Sequence, residues 1–153
     1  MGAVNADGGN RLARVSDATA RRESCWVEVD LDAIRGNVAV ARRVSGVAVM
    51  AVVKADGYGH GAVPVARAAL DGGATWLGVA RVDEALQLRA AGIEAPLLML
   101  GYTPPDAVPE LVAADVSLTI WTPDHLEVAR AAAATTRRPA QVHVKVDTGM
   151  TRV

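Results

Sequence analysis

The sequence predicts an α/β fold, the N-terminal part of a (β/α)8 TIM barrel, truncated after about five βα units. Three observations carry this. Short apolar runs at 47–53, 75–79, 97–100, 116–120 and 141–146 alternate with helical patterns. Their spacing of about 20–25 residues is that of parallel strands covered by helices. Residues suited to chemistry stand at the C-terminal ends of more than one run, where barrel enzymes keep their sites. No Gly-x-Gly-x-x-Gly follows the first strand, as a doubly wound dinucleotide-binding sheet would require. A closed barrel takes eight strands and about 250 residues, so a chain of 153 residues is expected to be the front part of a larger protein.

The elements follow in order. Residues 1–24, with Gly8-Gly9-Asn10 and scattered arginines, show no sustained periodicity and are expected to be a disordered extension, leaving 25–153 as the partial barrel domain. Trp26-Val27-Glu28-Val29 alternates as a strand does. Asp30 or Asp32 can cap the helix that follows, in which Ile34, Val38 and Ala41 recur at helical spacing. After the run 47–53, a helix over 62–70 presents Val63, Ala66 and Leu70 on one face, and Asp71-Gly72-Gly73 stops it. Strand 75–79 precedes a helix over 82–91 with Asp83 and Glu84 in its first turn and Arg89 near its end, as the helix dipole favours. Strand 97–100 leads through a proline-rich segment, 104–109, to a short helix. Strand 116–120 is followed by Thr122 as N-cap, Pro123 as first helical residue and an alanine-rich helix to about 136. Strand 141–146 comes last.

Composition narrows the class. There is no phenylalanine, so the core must be aliphatic. A net charge of −1 with interspersed signs offers no footprint for nucleic acid or an anionic membrane. No run approaches the roughly 18–20 apolar residues of a membrane span, and the N-terminus lacks the apolar segment of a signal peptide. The single Cys25 reads as a reduced intracellular thiol. The expectation is a soluble cytoplasmic protein.

Against 14 arginines the chain has two lysines, Lys54 and Lys145, each where a strand gives way to a glycine-bearing loop. Lysine can do what guanidinium cannot at neutral pH: lose its proton and attack a carbonyl. Lys54 precedes Ala55-Asp56-Gly57-Tyr58-Gly59-His60-Gly61. An amine aimed into a barrel mouth can form a Schiff base with an aldehyde cofactor. The glycines let backbone approach a ligand, and a tyrosine hydroxyl can bind phosphate. The plain alternative is a surface lysine before a flexible loop. Lys145 and Asp147 share a strand face, so an ion pair closing a barrel layer is an equal reading, and Arg152 can be a surface charge. His60 reads as a loop hydrogen-bonding residue, His143 as structural, and His125 as lying on an exposed helix. Trp26, Trp76 and Trp121 read as packing residues. No His/Cys/Asp cluster has ligand spacing, so no metal site is expected.

Four ordered segments carry a resemblance. They are Trp26-Val27-Glu28-Val29-Asp30-Leu31-Asp32-Ala33-Ile34-Arg35-x-Asn37, Val52-Val53-Lys54-Ala55-Asp56-Gly57-Tyr58-Gly59-His60-Gly61, Leu77-Gly78-Val79-Ala80-x-x-x-Glu84-Ala85 and Lys145-Val146-Asp147-Thr148-Gly149-Met150-x-Arg152. In this order they closely resemble the alanine racemase family, over residues 26–153. The chain departs at Asp56 and Gly57, where the family commonly has asparagine and alanine or similar small pairs; lysine, tyrosine and histidine keep their spacing.

The resemblance implies a pyridoxal 5'-phosphate enzyme with an N-terminal barrel and a C-terminal β-domain. It would interconvert L- and D-alanine for peptidoglycan by two-base proton transfer, and be a homodimer when full length. Lys54 is then similar to the catalytic lysine that holds the cofactor and serves as base for the D-isomer. Tyr58 is similar to the tyrosine on the cofactor phosphate. Arg152 resembles the arginine near the cofactor's phenolic oxygen and the substrate carboxylate. Lys145 matches the lysine that is carbamylated in some members. The second base, a tyrosine, lies beyond Val153 in the family, so residues 1–153 are expected to be inactive alone. Two rivals share parts of this pattern. Another pyridoxal-phosphate barrel enzyme, such as a broader racemase or a decarboxylase, would share Lys54. A non-catalytic cofactor-carrier barrel would lack the Lys145–Arg152 segment.

Overall fold

A computed structural model describes residues 12–13 and 27–151. Cys25, Trp26, Arg152 and nearly all of the expected disordered extension lie outside the described residues. The exception is β1 (Leu12–Ala13), which pairs antiparallel with β2 (Val29–Asp30). Helix α1 (Leu31–Ser45) begins where the Asp30 carboxylate accepts the Ala33 N–H at 2.9 Å. Of the two candidate caps it is therefore Asp30 that serves, and Asp32 pairs instead with Arg35 at 2.8 Å. The remaining elements are β3 (Met50–Val52), α2 (Ala62–Asp71), β4 (Trp76–Val79), α3 (Val82–Ala90), β5 (Leu97–Met99), α4 (Val108–Ala113), β6 (Val116–Ile120), α5 (Pro123–Thr136) and β7 (Val142–Val144). Thr122 caps α5 through a bond from the His125 N–H, with Pro123 in the first turn.

The five strands β3 to β7 form one parallel sheet in sequential order. A doubly wound sheet reverses its order at a switch point; a barrel wall does not. Curvature agrees with the barrel. The rings of Trp76 on β4 and His143 on β7 meet edge to face at 5.4 Å, although a flat sheet would hold strands three intervals apart about 14 Å from each other. Both side chains therefore point into a concave face. Trp76 is thus a packing residue, as expected, and it packs across the concave face against His143.

Strand alternation divides the residues. Leu77, Val79, Leu97, Met99, Val116 and Leu118 face outward and are buried beneath the helices. The helices meet them largely with alanine, including Ala62, Ala66, Ala85, Ala129 and Ala132. Small side chains let helix backbones lie close to the sheet, which is how a core without phenylalanine is filled. The buried face of α2 is Ala62, Val65, Ala66, Ala68 and Ala69, so Val63 and Leu70 of the expected stripe are only partly buried. The shift follows from α2 packing on α1 as well as on the sheet. At Gly72, just past α2, a Cβ would stand 2.5 Å from the Arg35 carbonyl oxygen on α1.

At the opposite end of the strands Arg89 replaces a generic dipole contact with specific ones. Its guanidinium donates to the carbonyls of Ile93, Ala95, Ala114 and Asp115 at 2.7–2.9 Å. Burial lowers its pKa, and these four acceptors offset the desolvation.

The last strand departs from the expectation of a buried run. Val144 is 74% exposed and Val146 75%, because no further strand or helix covers β7 among the described residues. No helix among the described residues is long and apolar enough to cross a membrane.

Candidate active site

The C-terminal ends of the strands carry Lys54 after β3, Ala80 and Arg81 after β4, Tyr102 beyond β5, Trp121 after β6 and Lys145 after β7. Lys54 continues the inward alternation of Met50 and Val52, while Val53 between them is buried on the outer side. Inward parity is independently marked at Gly78, whose Cβ would touch Leu100, Met50 and Val52. Lys145 likewise continues the parity of His143, and its N–H extends the ladder to the Ile120 carbonyl at 2.8 Å. Both lysines are half-buried.

The segment after Lys54 is no ordinary loop. Ala55, Asp56, Gly57 and Tyr58 all adopt left-handed helical backbone, with φ of 52°, 53°, 62° and 56°. Only glycine visits this region freely; an L-residue there costs about 1–2 kcal/mol. Three consecutive-turn residues with a Cβ therefore need outside support. Some is local: the Asp56 carboxylate accepts the Ala62 N–H at 2.7 Å, and the Asp56 carbonyl accepts the Gly61 N–H at 2.8 Å. His60 Nδ1 lies 3.1 Å from the Gly57 carbonyl and 3.0 Å from that of Tyr58, so it is a loop hydrogen-bonding residue as expected. The departure at 56–57 thus has a structural use. Asp56 caps the start of α2, and Gly57 sits where an added Cβ would lie 3.1 Å from Val65. Tyr58, the last left-handed residue of the turn, is 59% exposed.

The missing support comes from Glu84, whose place in the sequence suggests only a helix-dipole charge. Glu84 is buried, and its carboxylate accepts N–H bonds from Ala55 at 2.7 Å, Ala80 at 2.9 Å and Arg81 at 3.1 Å. The sequence held one cue, a glutamate at the third helical position. Nothing local identified Ala55 as its partner.

Around Lys145 the structure assembles an aromatic cluster that the sequence did not suggest. Trp121 meets His125 edge to face at 4.6 Å, and Tyr102 lies 6.2 Å from Trp121 and 5.6 Å from His125. His125 lies on a largely exposed helix, as expected, but is itself half-buried against these rings. The Lys145 ammonium stands 5.9 Å from the Trp121 ring centroid, within cation–π reach. Asp147 does not act chiefly as its ion-pair partner. It accepts the Gly149 N–H at 2.8 Å, closing a turn. Its carboxyl is held below the ordinary range first by that bond and next by the Thr151 N–H, with Lys145 the smallest contributor. No group of three His, Cys, Asp or Glu side chains among the described residues could hold a metal ion.

Comparison with known proteins agrees with this geometry. A family model described as alanine racemase, N-terminal domain, matches residues 29–153. Alanine racemase 1 of Oceanobacillus iheyensis is 52% identical over 130 residues, which are 84% of this chain and 35% of that protein. The alanine racemase of Thermobifida fusca is 54% identical, over 81% of this chain and 33% of its own length. Among solved structures, alanine racemase from E. faecalis superposes with a TM-score of 0.76 at 45% identity, covering 82% of this chain and 34% of that one. The enzyme from Streptomyces coelicolor gives 0.75 at 44%, covering 80% and 33%. The chain spans about a third of the length of these relatives. A curled parallel sheet, lysines at its mouth and a family match over nearly all the described residues lead to one conclusion: this chain belongs to the alanine racemase family, as part of its N-terminal barrel domain.

Proposed function

We propose that these residues form one part of an alanine racemase that binds pyridoxal 5'-phosphate and interconverts L- and D-alanine, supplying D-alanine for peptidoglycan. The observation that carries the reading is the placement of Lys54. It stands at the C-terminal end of β3 on the inward side, and the left-handed turn that follows it carries Tyr58, which is largely exposed. An amine and a phenol four residues apart at a barrel mouth are donors suited to an aldehyde bearing a phosphate.

When bound, the cofactor supplies an electron sink for the carbanion at the substrate Cα. Lys54 would hold it through its amine and, once released, accept or return the Cα proton on one face. Tyr58 would donate its hydroxyl to the phosphate. Arg152, which lies outside the described residues, would hold the substrate carboxylate and the cofactor's phenolic oxygen. An unmodified Lys145 has the Trp121 ring within cation–π reach; carbamylation would exchange that contact for an anion able to orient Arg152. The tyrosine for the opposite face comes, by resemblance, from beyond Val153. The complete protein is then a cytoplasmic homodimer.

Borohydride reduction of the complete, cofactor-loaded enzyme followed by peptide mapping should place the pyridoxyl label on Lys54. A label on Lys145 would overturn the assignment. Arg152→Lys should lower turnover by something like 10²-fold, because it keeps the charge but loses the planar donor fork. Wild-type steady-state kinetics in that variant would leave Arg152 a surface charge.

A further inference from the structure

Glu84 occupies the third position of α3, where a glutamate ordinarily closes back on the first N–H groups of its own helix. Its Oε2 does this, accepting from Ala80 and Arg81. Its Oε1 makes a bond that capping does not need, to the N–H of Ala55, 29 residues earlier and directly after Lys54. That N–H belongs to the peptide joining Lys54 to Ala55. Because the peptide is planar, the direction of the N–H and the ψ angle of Lys54 are one variable.

We propose that Glu84 is a positioning residue for Lys54: its buried carboxylate ties the first peptide of the left-handed turn to the end of β4 and so fixes how the lysine enters the barrel mouth. The proposal rests on Lys54 being the cofactor lysine, as argued above. Without the carboxylate, Ala55 has a steric reason to leave φ 52° for the right-handed or extended region. Relaxation there would swing the backbone that carries Lys54 and, three residues on, the one that carries Tyr58. A helix cap alone would have no such consequence.

The test is a double-mutant cycle in the complete enzyme using Glu84→Gln, Ala55→Gly and their combination. Glutamine keeps the volume but turns an NH2 group toward at least one of the three N–H donors. The single Glu84→Gln variant should lose roughly 10- to 100-fold in kcat, the scale of a small misplacement of a reacting group, with KM little changed. Glycine adopts the left-handed backbone without strain, so in the Ala55→Gly background the same substitution should cost only a few-fold. Equal losses in both backgrounds, or a lowered Tm with unchanged kcat, would reduce Glu84 to a cap of α3. Should Glu84→Gln fail to fold, hydrogen exchange in the unsubstituted, cofactor-free protein decides. The Ala55 amide should be strongly protected although the residue is exposed, and exchange at the free-peptide rate would sink the proposal. Borohydride mapping separates the two layers. A label away from Lys54 fails the functional reading itself, whereas a label on Lys54 with no coupling in the cycle fails only the positioning role.

Discussion

Lys54→Arg should all but abolish racemisation in the complete enzyme, lowering turnover by on the order of 10³–10⁴-fold. Arginine keeps the charge and nearly the length of lysine, so the end of β3 and the left-handed turn should fold unchanged. What it cannot keep is an amine that loses a proton near neutral pH and condenses with an aldehyde. The two roles proposed for Lys54, holding the cofactor and moving the Cα proton, fail together. Loss of the reducible cofactor adduct should therefore accompany loss of turnover, while the Tm of the cofactor-free protein stays close to that of the parent. A variant with undiminished kcat and a reducible adduct elsewhere would remove Lys54 from the chemistry altogether.

Residues 1–153 on their own should self-associate and show no alanine interconversion with added pyridoxal phosphate. The reason lies at both ends of the sheet. On β7 and the segment after it, Val142, Val144, Val146 and Met150 are 37%, 74%, 75% and 71% exposed. Beside β3, Val47 is 65% exposed and Val52 36%. These apolar side chains flank strand edges whose N–H and C=O groups a closed barrel would pair. Such edges template pairing with another chain. The proposed function also takes its second catalytic base from beyond Val153. Hydrodynamic size, thermal unfolding and a D/L-alanine assay check this together. A monodisperse, cooperatively unfolding monomer with substantial racemase activity would refute both parts of the argument.

The wall of the barrel was legible because its signals are local. A strand such as 116–120 is a continuous apolar run, and its observed bounds, Val116–Ile120, are those read from the pattern. Thr122-Pro123 announces α5 through cap chemistry confined to four residues. Where burial depends on neighbours the reading slipped. Strand 141–146 looks like a core strand by composition, yet its observed core, Val142–Val144, is exposed throughout because nothing covers it. On α2 the buried face shifted because α1 supplies a second packing surface, and no periodicity records a helix lying alongside.

The site divides along the same line. By itself the sequence determined that the two lysines stand at strand ends before glycine-bearing loops, that the core is aliphatic, and that four ordered motifs resemble one family. Each of these is a matter of residue type and spacing along the chain. Only the tertiary structure decided that Ala55–Tyr58 run left-handed, that Glu84 holds the Ala55 peptide, and that Tyr102, Trp121 and His125 gather beside Lys145. A disfavoured backbone sign is held by a hydrogen bond from 29 residues away, and rings from separate βα units meet only once the strands curl. Such arrangements arise from close packing between distant segments, and residue spacing carries no trace of them.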